Sequence, residues 1–304
     1  MSKLVARMGI PVLTVLVLAA CGSSSNNTTS TTASTPTATT STSASENASV
    51  AAQVPAAIKS KGTLDVATEA QYAPNEFIAP DGHTVIGMDA DLMHALGAVM
   101  GLKVDMINSN FETIIPGLAA GRYDVGASSF TDTKEREKTV DFVDYFSAGI
   151  SFYAKSSSNP GVTDVGDLCG KTVAVEKGTV EQEEAEAQSK RCTTAGKKAV
   201  TVLIFTGQNA VNLAVSSGRA EIGMADSPVV AYQIKLSNGT FKLVGKSYNF
   251  APYGLAVPKT TGLSTPLLAA LKVIMADGTY HAILAKWGLL EGAITTPTIN
   301  GAKS

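Results

Sequence analysis

Short apolar runs alternate with amphipathic stretches along most of this chain, and that alternation limits the fold more than any other feature. Residues 64–67 read as a strand. Leu92, Leu96, Val99 and Met100 then share one face of a helix, with Asp89 expected as its N-cap. Residues 103–107 alternate as a strand, 111–120 read as a helix and 123–127 as another strand. The order repeats further on, with strands expected over 171–175, 200–205, 221–225 and 241–246, and helices over 180–190, 209–217 and 228–236. Strand-helix alternation of this kind predicts an α/β fold with a mostly parallel sheet and helices on both faces. In such sheets ligands gather beyond the carboxyl ends of the strands. With 304 residues the chain has room for two domains, each burying its own core.

One strand end stands out. Residues 123–136 run through Tyr123, Ser128, Ser129, Thr131 and Thr133 to Arg136. Hydroxyls and one guanidinium fork suit a carboxylate, which accepts paired bonds from Arg and single bonds from hydroxyl or backbone donors. The competing reading is a polar loop in which Arg136 pairs with Glu135 or Asp132 in solvent. In the second half, residues 221–226 place the carboxylate of Asp226 at another strand end, where it could equally cap the helix that follows.

The N-terminus points to export. Lys3 and Arg7 precede an apolar run over 10–20 that is too short for a confident membrane span, so residues 1–20 read as a signal peptide. The ending Leu18-Ala19-Ala20-Cys21 resembles the bacterial lipobox, which implies acylation of Cys21 (palmitate among the acyl groups). Residues 21–53 are rich in Ser, Thr and Ala and are expected to form a disordered tether, with folding beginning near Val54. In an oxidising compartment the two remaining cysteines, Cys169 and Cys192, make one possible disulfide. A net charge of −2 without a basic block argues against nucleic acid as a partner. The three histidines are scattered, and neither a metal site, a Ser/His/Asp set nor a phosphate-binding glycine loop is visible, so no cofactor is expected.

Several motifs, in order, resemble the family 3 extracellular solute-binding proteins, the amino-acid receptors of ABC importers. They are Tyr72-Ala73-Pro74-Asn75-Glu76-Phe77, Gly87-Met88-Asp89-Ala90-Asp91-Leu92, the run from Phe111 to Leu118 with its Ile115-Pro116, and Tyr123-Asp124. Further along come Val140-Asp141-Phe142-Val143-Asp144-Tyr145, Gly254-Leu255-Ala256-Val257-Pro258-Lys259, and Asp277-Gly278-Thr279-Tyr280 leading to Lys286-Trp287. The likeness covers about residues 58–290 and departs from the family pattern at Asn75 and Met88, where aromatics are usual.

This resemblance implies a two-lobe periplasmic-binding-protein-like fold with two crossing segments (type II). Lobe 1 would comprise 54–150 plus 252–304, and lobe 2 would comprise 151–251. It further implies that Arg136 and the turn at Thr179 hold a ligand carboxylate, that Asp226 holds the ammonium, and that Ser128, Ser129 and Thr131 assist at both charged ends. Glu69, Tyr72, Phe111, Phe130 and Glu176 would then meet the ligand side chain, favouring a polar or cationic amino acid. The expected protein is a monomeric receptor, not an enzyme, lipid-anchored at the outer face of the bacterial cell membrane and delivering its ligand to an ABC permease. The alternatives are a dehydratase of a cyclic amino-acid precursor on the same fold, and a sensor module.

Overall fold

The computed structural model describes residues 45–303. The signal peptide, Cys21 and most of the expected tether lie outside that range. Order begins earlier than Val54, because Asn47 caps α1 (Ala48–Ala51) and Val50 is already buried. A single branched apolar residue in a polar run suffices here, since α3 supplies a surface to cover it.

After α2 (Ala56–Lys61), β1 (Thr63–Thr68) enters the sheet. A small hairpin sheet follows, made of β2 (Gln71–Tyr72), β3 (Glu76–Ile78) and β4 (Val85–Ile86). Next come α3 (Met88–Met100), β5 (Lys103–Asn108), α4 (Phe111–Ala119) and the short β6 (Val125–Gly126). Gly87, not Asp89, takes the N-cap position of α3. Its φ of +134° and the backbone of Asn75 beside it leave no room for a Cβ. Asp89 instead turns inward, accepting from the Ser129 amide at 3.0 Å and the Tyr145 hydroxyl at 2.7 Å, because two buried donors need an acceptor.

The long β7 (Val140–Lys155) leads to β8 (Thr172–Glu176), α5 (Val180–Thr194), β9 (Thr201–Phe205), α6 (Gln208–Ser216), β10 (Ile222–Asp226) and α7 (Ser227–Leu236). The long β11 (Phe241–Pro258), α8 (Ser264–Ala276) and α9 (Thr279–Trp287) close the chain. One eight-stranded sheet results, ordered β5-β1-β6-β11-β7-β10-β8-β9. Its two ends are parallel, β5-β1-β6 and β10-β8-β9, while β7 and β11 run antiparallel between them.

The two crossings are therefore not extended linkers between separate strands. They are the middles of β7 and β11, paired to each other and bent where the register slips near Val244, Tyr248 and Tyr253. Pairing follows from proximity, since two extended segments side by side satisfy each other's backbone groups. On each side of that ribbon lies a separate core. Leu64, Leu92, Leu96, Leu255 and Leu271 fill one, and Phe152, Val173, Val175, Ile222 and Met224 fill the other. The fold is two-lobed.

Cys169 and Cys192 are disulfide-bonded, with Cα atoms 5.5 Å apart, and tie the start of β8 to the last turns of α5. Closing a loop of this length restricts the unfolded chain by roughly 3 kcal/mol. Denaturant melts with and without reductant should therefore differ by about that amount. Coincident melts would show that the bond contributes nothing to stability.

Candidate functional site

The carboxyl ends of the parallel strands converge from both lobes on a narrow cleft. Tyr72, Phe111, Ser129, Thr131 and Arg136 line one side, and Glu176, Thr179, Glu181 and Asp226 the other. Polar contacts span the gap. The Arg136 guanidinium donates to the Gly178 carbonyl at 3.0 Å, the Asn209 amide donates to the Gln71 side-chain oxygen at 3.1 Å, and Lys177 faces Glu112 at 3.7 Å.

Arg136 is held in place without a carboxylate partner. Its other guanidinium nitrogen donates to the Thr131 carbonyl at 2.7 Å, and its planar group lies 5.4 Å from the Phe111 ring centroid and 5.6 Å from that of Phe130. Those rings stack on each other at 4.4 Å. The solvent-loop reading is excluded, because Glu135 pairs with Lys138 while Asp132 accepts from the Ala302 amide. Burial lowers the Arg136 pKa, yet a guanidinium stays charged. Two carbonyls occupy part of its five-donor fork, and an anion in the cleft could take the rest.

On the facing lobe, Asp226 stands at the N-cap position of α7 but its side chain caps nothing. The carboxyl group is turned instead towards Glu181 and the Tyr253 hydroxyl. Thr179 caps α5, accepting from the Gln182 amide at 3.2 Å, so the positive end of that helix opens on the cleft. Glu176 ends β8 at 1 % exposure, and among the described residues neither of its carboxyl oxygens has a partner. Burial, reinforced by the charge of Glu69, pushes its pKa up to about 9. Lys177 does not neutralise it, being drawn to Glu112. Tyr72 packs edge-on to Phe111 at 5.9 Å, and its hydroxyl is also unpartnered.

Three of the expected contact residues stand behind the wall rather than on it. Glu69 accepts from the Phe111 amide at 3.0 Å and so caps α4 from below. Burial and the neighbouring Glu112 raise its pKa to about 7. Ser128 accepts from the Glu69 amide at 2.8 Å, and Phe130 lies under Phe111 at 1 % exposure. Backbone amides at the helix start and strand end claim the Glu69 carboxylate and the Ser128 hydroxyl before a ligand can, and the Phe111 ring covers Phe130. Ser129 does reach the cleft, with φ of +49°, fixed by Asp89, Glu76 and the Asn75 amide. Sequence reasoning passed over Glu181 and Gln208, both buried in the lining. An acidic residue two places past a Gly-Thr turn reads as ordinary helix-dipole compensation, and nothing local marks it as facing a cleft.

A fixed guanidinium thus faces a helix N-terminus and a group of carboxyls across a narrow gap. Residues 64–290 match the family described as bacterial extracellular solute-binding proteins, family 3. The chain belongs to that family. An arginine-binding protein of Corynebacterium glutamicum is 35 % identical over 252 residues, covering 83 % of this chain and 82 % of the relative. A solved ancestral arginine-binding protein bound to glutamine is 34 % identical with a TM-score of 0.68, covering 75 % of this chain and 98 % of that one. A further likeness is to a solved ancestral amino-acid-binding protein described as a precursor of cyclohexadienyl dehydratase. It is 32 % identical with a TM-score of 0.68, over 76 % of this chain and 97 % of that one.

Proposed function

We propose that this protein captures a free cationic or amide-bearing amino acid between its lobes and delivers it to an ABC permease. The observation that carries this reading is Glu176. A buried carboxyl with two unpartnered oxygens in the lining of the cleft calls for a ligand rich in N–H donors. Arg136 and the N-terminus of α5 would take the α-carboxylate, and Asp226 the α-ammonium. Tyr72 and Phe111 would flank the ligand stem, where a cation also gains from their ring faces. An anionic side chain would bring one more negative charge to the acidic end, so aspartate and glutamate should bind worst of the polar amino acids. The names of relatives for arginine and a solved neighbour bound to glutamine support the same range. A ligand held by both lobes favours the closed form, the shape that would be presented to the permease.

With this reading go export, acylation of Cys21, a tether to the outer face of the membrane and a monomeric state. Thermal-shift screening of the twenty amino acids, followed by calorimetry, tests the ligand class. Arginine, lysine, histidine or glutamine should stabilise the protein most. Tight binding of glutamate with none of arginine or glutamine would overturn the assigned ligand class. The dehydratase alternative is tested by incubation with cyclic amino-acid precursors, from which no product is expected.

A further inference from the structure

The cleft holds one carboxyl group more than the three roles just assigned require. Glu181 is the second residue of α5, with its side chain 3 % exposed and its Oε1 without a partner, and it lines the cleft beside Asp226. Both carboxyl groups lie in the same small stretch of lining, and two acids side by side in so dry a place do not ionise together, so the pair keeps a proton. Several groups face the pair. Thr179 lies on its own helix end, Glu176 on β8, Tyr145 on β7, Tyr248 and Tyr253 on β11, and Arg136 across the cleft. Arg136 is the one cation among these. Burial outweighs it and raises both acids, and the charge of Glu181 raises Asp226 further.

Building on the reading of the cleft as an amino-acid site, we propose that Glu181 is a further specificity-determining residue. With Asp226 it holds one proton before capture, and the ligand's α-ammonium takes that proton's place. The exchange balances. A singly charged acid pair and an ammonium become a doubly charged pair around the ammonium, and one proton leaves to the buffer. An ammonium suits this seat because it offers a full charge and three donors to two carboxylates. The cleft would thereby select ligands with a free, charged α-amine.

Calorimetry at pH 7 in buffers of differing ionisation enthalpy counts the protons released. L-Glutamine leaves Glu176 neutral, so the parent should release about one proton and E181Q fewer. L-Arginine also displaces the Glu176 proton, so the parent should release about one proton more than with glutamine, and E181Q again fewer than the parent. The parent's buffer dependence requires no variant, and a circular-dichroism melt shows whether E181Q folds. E181Q releasing as many protons as the parent overturns the proposal, as does a parent binding heat that is the same in every buffer. No binding heat from arginine, lysine, histidine or glutamine overturns the amino-acid reading instead.

Discussion

Replacing Arg136 by alanine is expected to abolish useful ligand binding while leaving the fold intact. The Arg136 guanidinium bonds to the carbonyls of Thr131 and Gly178 and packs over Phe111 and Phe130, and it makes no direct salt bridge among the described residues. Its removal costs little structurally beyond one contact across the cleft. A bound carboxylate would lose its fixed cation and remain desolvated. Breaking such a pair costs about 3–5 kcal/mol, which is a loss of at least about a hundredfold in affinity. Lysine at this position should also fail, because a point charge cannot hold both carbonyls and a carboxylate in one plane. Calorimetry on R136A with the parent's best ligand decides the matter. Binding within a few-fold of the parent would show that the carboxylate is held elsewhere.

Exchanging Glu176 for glutamine should separate cationic from neutral ligands. The buried, unpartnered carboxyl must ionise to meet a cation, and removing one partner of such a pair costs roughly 2–5 kcal/mol. E176Q should therefore lose at least about thirtyfold in affinity for arginine while keeping glutamine within a few-fold. The pH dependence has a defined sign. The carboxyl is protonated up to about 9, so arginine binding expels its proton, and this group raises arginine affinity as pH climbs towards that value. For the ligand-free protein the sign is opposite. An acid with a raised pKa stabilises the fold at low pH, and that stability is lost as pH rises towards about 9. E176Q should flatten both slopes. Equal loss of arginine and glutamine in E176Q would mean that the side-chain end of the ligand lies elsewhere.

The sequence by itself determined the α/β class and the two-lobed arrangement. Strand and helix periods are written into residues such as Leu92, Leu96 and Val99, whose spacing allows only one buried face. It also placed Arg136, Thr179 and Asp226 at element ends, because turn residues and strand termini are local signals. Burial and partnership were decided by the tertiary structure alone. Nothing near Glu69 in the chain reveals that its carboxylate would cap α4, whose first amide arrives from 42 residues away. Asp89 looked like a cap and became the acceptor for Ser129 and Tyr145, because folding brought it two donors that had no water. The two expected crossing segments became one paired ribbon, since β7 and β11 meet only once both lobes exist. Glu181 carries no local sign of its place. It is a site residue because β10 sets Asp226 beside the first turn of α5, and that distance exists only in three dimensions.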